Sequence, residues 1–340
     1  MLVVGRRDGT ASQPKLPLLF GPIFGVDTAN LKKYAIAKVI DPYGAGVLAL
    51  GGCSGCPGFE FDGSGADEDI IILGGGSLYV NSKYVDESGK NGAVDQSGNA
   101  PIVLELDRIY TVGNIDDSLN ISEDTDAHGY PEIIAAEPDP YASVPDAVPG
   151  VSPDYDPNDL GTITASGTYS PGYYSGGIQI TGGTTINLQP GNYYLDSVGE
   201  SASLKLNGGL ITGESVTLHI IGDADLGVDV QGGASDPVNM DISAPTTGPY
   251  AGIAIFQKRN PAYDCVLSCD KYPLSELGGK GDIDIDGAIY MPHNKLLLGG
   301  TGDILATRAI ADRFTLKGTG QKLIDYKGEP KIAPQSYLVE

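Results

Sequence analysis

Asp282-Ile-Asp-Ile-Asp286 sets three carboxylates at every second position. On a strand such positions share one face, so Asp282, Asp284 and Asp286 would line a surface while Ile283 and Ile285 enter a core. Carboxylates on a strand face serve as general acid and base in polysaccharide cleavage, or as calcium ligands. Any half-buried strand shows the same alternation, however, and a solvated acidic face is the simpler reading. No second acidic strand one repeat away is obvious, with Asp223, Asp225 and Asp229 as candidates.

A second acidic group, Asp154, Asp156, Asn158 and Asp159, is the candidate calcium site. A complete calcium loop adds a central Gly and a distal Glu, and both are missing. Composition therefore favours a solvated linker. No cofactor is required by the sequence, and Ca2+ is the ion this group would take. Asp62-Gly-Ser-Gly-Ala-Asp-Glu-Asp69 is a weaker case of the same kind.

The four cysteines fall in two close pairs, Cys53/Cys56 and Cys265/Cys269. Proximity fits two local disulfides in an oxidising compartment. A four-thiolate zinc site is the alternative, which the Cys-x2-Cys spacing suits better than the Cys-x3-Cys one. His128, His219 and His293 are isolated, and nothing local suggests a nucleophilic triad. Runs such as Gly74-Gly-Gly76 lack the Lys-Ser/Thr of a phosphate loop and read as turns.

The elements that must position these groups are short strands. Glycine makes up 49 of 340 residues, as GG or GxG punctuation between runs of Ile, Val, Leu, Thr and Tyr. The formal charge of −23 would repel a phosphate backbone and anionic lipid, so no nucleic-acid partner is expected. No stretch is long and apolar enough for a membrane span, the best being Leu16 to Val26, broken by Pro17, Gly21, Pro22 and Gly25. The N-terminus does not read as a signal peptide either, so export would need a leader upstream of Met1.

Residues 1–40 carry six bases against two acids, a local +4, with strands expected at Leu2–Val4 and Tyr34–Ile40. A short helix over Asp27–Lys33 is an alternative there. Residues 41–130 alternate strands and turns as a first β-rich part. Residues 131–160 form an acidic, proline-rich connector, and residues 101–160 together hold fourteen acids against the single base Arg108. Such a segment lies on or beside a body and contributes no core element.

Residues 161–326 carry a repeat, and residues 327–340 form a tail. Glycine pairs recur at Gly182/Gly183, Gly208/Gly209 and Gly232/Gly233, and again at Gly278/Gly279 and Gly299/Gly300. A period in the low twenties with two or three strands per unit is a solenoid period. The expected fold class is all-β: a right-handed parallel β-helix (β-solenoid) with a small N-terminal β-rich segment. An antiparallel sandwich is the rival. Ile178, Ile180, Ile186, Leu188, Val216, Leu218, Ile253, Ile255, Ile283, Ile285 and Ile289 are expected inside.

Ser170–Leu195, with its Pro-Gly-Tyr-Tyr, paired Gly-Gly and Pro-Gly-Asn-Tyr-Tyr, resembles the C-terminal region of TadG-like proteins of the tight-adherence (Flp) pilus system. Ser243-Ala-Pro-Thr-Thr-Gly-Pro-Tyr-Ala-Gly-Ile-Ala-Ile-Phe-Gln-Lys-Arg259 is the more specific match. Leu16–Asp27 and Pro138-Asp-Pro-Tyr-Ala142 resemble that family's apolar stretch and proline-rich connector, in the same order. The family usually begins with a membrane-anchoring helix, which this sequence lacks.

The resemblance implies an exported, extracellular, structural or adhesive component of a bacterial surface appendage, with no catalytic residues to carry over. The partners expected are further copies of the chain or other appendage subunits. A basic N-terminal strand adding to a neighbour's sheet is one expected route, and folding back on the acidic connector is the other. A β-helical polysaccharide-active enzyme is the alternative function. Ice-binding solenoids share the Pro-Gly-x-Tyr wording, but Thr181, Thr184, Thr185, Thr212 and Thr217 are scattered, which leaves an ice- or glycan-binding solenoid as a minor alternative.

Overall fold

A computed structural model describes residues 2–7, 16–17, 28–29, 31–36, 45–52, 55–63, 69–72, 76–84, 92–98, 102–105, 109–116, 119, 132–133, 135–146, 158–197, 202–222, 226–260 and 273–326. The chain divides into two compact units, Met1–Tyr43 with Pro330–Glu340, and Gly44–Glu329.

The smaller unit holds β1 (Leu2–Arg7), β2 (Leu16–Pro17), β3 (Thr28–Ala29) and β4 (Leu31–Ile36). β1 pairs antiparallel with β4, Leu2 opposite Ile36 and Arg7 opposite Leu31, and β2 pairs with β3. Strand therefore replaces the alternative helix there, and β1 already has a partner.

The larger unit begins with β5 (Ala45–Ala49), β6 (Phe59–Gly63), β7 (Asp69–Ile72) and β8 (Ser77–Val80). β9 (Val94–Gly98), β10 (Ile102–Glu105), β11 (Ile109–Thr111) and β12 (Glu132–Ile133) follow. After the connector come β13 (Gly167–Tyr169), β14 (Gly172–Tyr174), β15 (Ile178–Thr181), β16 (Thr185–Leu188), β17 (Gly191–Leu195) and β18 (Leu204–Asn207). Next are β19 (Gly209–Gly213), β20 (Val216–Ile220), β21 (Leu226–Val230), β22 (Val238–Ser243), β23 (Ile253–Gln257) and β24 (Leu274–Leu277). Two long strands, β25 (Ile283–Leu298) and β26 (Ile304–Lys317), precede β27 (Lys322–Ile324).

All named strand pairs of this unit are parallel, and most join a strand to the third one after it. Three ladders result. The first runs β13-β16-β19-β22-β25-β26-β27-β7-β10. The second runs β14-β17-β20-β23-β25-β26-β5-β8-β11-β12. The third runs β15-β18-β21-β24-β25-β26-β6-β9. β25 and β26 each cross all three. An antiparallel sandwich is excluded for this unit.

Alternation builds the core. In the second ladder Tyr193, Leu218, Ile255, Ile289, Ala309, Val47, Leu78 and Ile109 succeed one another in register and belong to the main apolar cluster. All eleven residues expected inside are buried, although Ile253 belongs to a second cluster. Each such side chain stabilises the fold by about 1.5–3 kcal/mol.

The spacing between paired residues varies more than the glycine period suggests. Ile186 pairs with Ile211, Ile211 with Met240, Met240 with Ile283, Ile283 with Ile304 and Ile304 with Lys322. The longest of these steps, Met240 to Ile283, is more than twice the shortest, Ile304 to Lys322. What recurs before Ile283, Ile304 and Lys322 is a turn. Gly279, Gly300 and Gly318 stack with φ of +100°, +88° and +88°, and a Cβ on Gly300 would meet the Gly279 carbonyl oxygen at 2.2 Å. Only glycine lets the backbones approach so closely in that conformation.

Spatial order departs from chain order at one place. β26 is followed in space by β5 and β6, with Ala309 opposite Val47 and Phe314 opposite Phe59. The strands before the connector thus stack beyond the strands that end the repeat.

Candidate functional site

Asp282, Asp284 and Asp286 are exposed, while Ile283 and Ile285 between them are buried. The first ladder brings Asp241 of β22 into register with Asp284 and Ser243 with Asp286. Asp286 Oδ1 accepts a hydrogen bond from Thr307 at 3.2 Å, and Asn239 Oδ1 accepts from the Asp282 amide at 3.2 Å. Asp303, also exposed, accepts from the Gln321 amide at 3.0 Å. This is an open acidic face with two carboxylate-bearing strands side by side. Asp229, a sequence candidate for the second strand, lies instead in the third ladder between Lys205 and Glu276, 3.6 Å from the Lys205 ammonium. Asp223 and Asp225 lie outside the described residues.

The third ladder ends in a carboxylate row that sequence reasoning missed. Glu60 of β6 stands in register with Asp95 of β9. Ile115 bridges Val94 beyond it, and the Asp116 amide donates to the Val94 carbonyl at 3.0 Å. Asp116 is buried at 3% exposure. Burial, and then the neighbouring Asp116 and Glu60, push the Asp95 carboxyl up to about 6 against the pull of the Gln96 amide. Glu60 faces the Lys295 ammonium at 3.3 Å and accepts from Thr315 at 3.4 Å. Burial thus favours the protonated form of Asp95, which stands beside a carboxylate held in an ion pair with Lys295.

Of the calcium candidates, Asp154 and Asp156 lie outside the described residues. Asp159 uses both oxygens within the chain: Oδ1 accepts from the Gly161 and Ser175 amides at 2.8 and 3.0 Å, and Oδ2 accepts from the Ser175 hydroxyl at 2.6 Å. These bonds, the Ser175 hydroxyl first, hold its carboxyl below the usual range. Asn158 precedes Asp159, which forms a parallel bridge with Tyr173 of β14. Among the described residues no group of three or more His, Cys, Asp or Glu is arranged to hold a metal ion. No helix among them is long and apolar enough to cross a membrane.

Cys56 is buried, and no free cysteine occurs among the described residues. Cys53, Cys265 and Cys269 lie outside them. Of the scattered threonines, Thr217 is buried and donates to the Ile253 carbonyl at 2.9 Å. Thr212 donates to Asn187 on the first ladder at 2.8 Å.

The most elaborate side-chain arrangement lies on the outer side of the second ladder. Tyr173, Tyr194, His219, Phe256, Tyr290, Ile310, Leu48, Tyr79 and Tyr110 stand in register on successive strands. His219 is fully buried, its ring stacked on Tyr194 at 4.8 Å and its Nε2 3.1 Å from Asn192 Oδ1. Burial holds its pKa down to about 3, so the ring is neutral.

The proline-rich connector covers part of this row. Glu137 exchanges two hydrogen bonds with the Asn81 side chain, at 2.7 and 2.6 Å. Tyr290 donates to Asp139 at 2.6 Å and packs edge-on against Tyr141. Arg259 closes the clasp. It donates to Tyr290 Oη at 3.0 Å, to the carbonyls of Val144 and Tyr141, and to Asp146 at 2.9 Å. Its guanidinium also lies 5.5 Å from the Phe256 ring centre and 5.2 Å from that of Tyr290. Proline content alone signals a connector; that this one is bolted to the end of β23 has no local signal.

No protein-family model, curated protein or solved structure matches this chain.

Proposed function

We propose that Gly44–Glu329 is a right-handed parallel β-helix, its three ladders the three faces, serving as a rigid scaffold in an exported, TadG-like structural or adhesive component of a bacterial surface appendage. The observation that carries this reading is the clasp. Two segments of the resemblance, Pro138–Ala142 and Ser243–Arg259, pack on one another through Arg259, Tyr290 and Asp139. The most specific residues of the resemblance therefore hold two stretches of the chain together. Outside the clasp, the first ladder offers an open polar face of the kind that binds an extended partner. Disulfides Cys53–Cys56 and Cys265–Cys269 belong to the same extracellular reading, as does calcium bridging of the acidic segments. Immunogold labelling of intact producing cells tests it: label on surface filaments is expected, and label appearing only after permeabilisation overturns it.

The row Glu60–Asp95–Asp116 favours a second reading, cleavage of a polysaccharide with Asp95 as general acid and Glu60 as base. Reducing-end release from acidic polysaccharides, lost in Asp95→Asn, would establish it. No release by the wild type across pH 4 to 8 removes it.

A further inference from the structure

The contact of β26 and β27 with the strands β5, β6 and β7 is made of the same parts as the other steps of the ladders. Leu50 and Gly51 amides donate to the Ala311 and Asp312 carbonyls at 2.8 and 2.9 Å, and the Phe314 amide donates to Gly58 at 2.9 Å. Phe59 packs on Phe314 with ring centres 5.7 Å apart. Glu60 pairs with Lys295 at 3.3 Å and Asp62 with Lys317 at 3.2 Å. β27 meets β7 in the same parallel sense.

At this step no short turn joins the two sides. The chain leaves the early block at Ile133 and re-enters the ladders near Asp159, which bridges Tyr173 on β14. Along the second ladder β12 and β14 stand at opposite ends, nine strand steps apart, or about 43 Å at ~4.8 Å per step. The connector crosses this span, held where it is described by the Glu137–Asn81 pair and the Arg259 clasp.

Nothing in the chemistry of the joint distinguishes a chain's own early block from that of another copy. We propose that residues 44–133 exchange between two copies of this chain, each copy's β5, β6 and β7 stacking on the other copy's β26 and β27. The connector acts as the hinge. Its tether sets an effective concentration on the order of millimolar, so the closed monomer dominates in dilute solution. Crowded folding favours exchange, and the extensive joint then traps the product.

The test uses full-length chains with the two ion pairs of the joint reversed in complementary fashion. One variant carries Glu60→Lys with Asp62→Lys, the other Lys295→Glu with Lys317→Glu. Each opposes like charges at its own joint, yet in an exchanged heterodimer both joints regain opposite charges. Co-refolding an equimolar mixture is expected to give heterodimers, weighed by native mass spectrometry, at least fivefold over the homodimers of either variant. Heterodimers no more abundant than homodimers overturn the proposal. Should a variant fail to fold, wild-type chain refolded from 1 to 500 micromolar provides the second measurement. A dimer fraction that rises with concentration and survives dilution supports exchange; monomer throughout overturns it. Failure here leaves the scaffold reading standing, and label confined to the cell interior leaves exchange standing.

Discussion

Arg259 and Asp95 are the two side chains whose replacement reports most. Arg259 answers two backbone carbonyls, one carboxylate and one phenol at once, so Arg259→Ala leaves several partly buried groups without their donor. The expected cost is about 2–3 kcal/mol, read as a lower urea midpoint, with new proteolytic cuts between residues 135 and 158. Asp95 behaves differently. Its folded pKa is raised from 3.8 to about 6, so the stability tied to its protonated form is present below 3.8 and is lost as pH rises through 6. Asp95→Asn removes that loss and keeps the acceptor for the Gln96 amide. The variant should melt roughly 2–4 °C above wild type at pH 7.5, for ~1 kcal/mol after discounting the half-exposed carboxyl, and together with it at pH 4. Equal melting temperatures at both pH values would contradict the shift.

Turns decide more than strands at the next scale. Gly300→Ala places a methyl 2.2 Å from the Gly279 carbonyl at a φ of +88°, and strain and overlap together are expected to cost about 2–4 kcal/mol. Denaturant titration checks the figure; a loss below about 0.5 kcal/mol, as small as an ordinary surface substitution, would mean that the turns rearrange freely. Alternation and glycine punctuation made the strands, their inward residues and the exposure of Asp284 legible, because all three are local properties of the backbone. Partner identity is not local. Asp241 escaped because the step from Met240 to its register partner Ile283 is about twice the step from Ile283 to Ile304. Glu60, Asp95 and Asp116 escaped because the step from the first to the second is far longer than that from the second to the third, and no single period covers both. The clasp was invisible for a related reason: Arg259 and Asp146 lie on opposite sides of most of the repeat in the sequence.

The larger unit as a whole should fray from its ends and hold at the joint. In native-state hydrogen exchange, amides of β5, β6 and β26 are expected to match the protection of β20 and β22, with β12 and β13 exchanging fastest. Faster exchange throughout β5 and β6 would mark the early block as a loosely attached appendix. The same stacking order imposes a schedule on the chain as it is made. Val47 finds its ladder partner in Ala309, which is synthesised only after most of the chain. At about 5–20 residues per second of synthesis, the early strands would wait on the order of tens of seconds for that surface. Through that interval their unsatisfied backbone is exposed to every neighbouring nascent chain. A cell producing this protein therefore has reason to keep the first third of it in a chaperone's grip, or to move it across a membrane unfolded, until the last third has emerged.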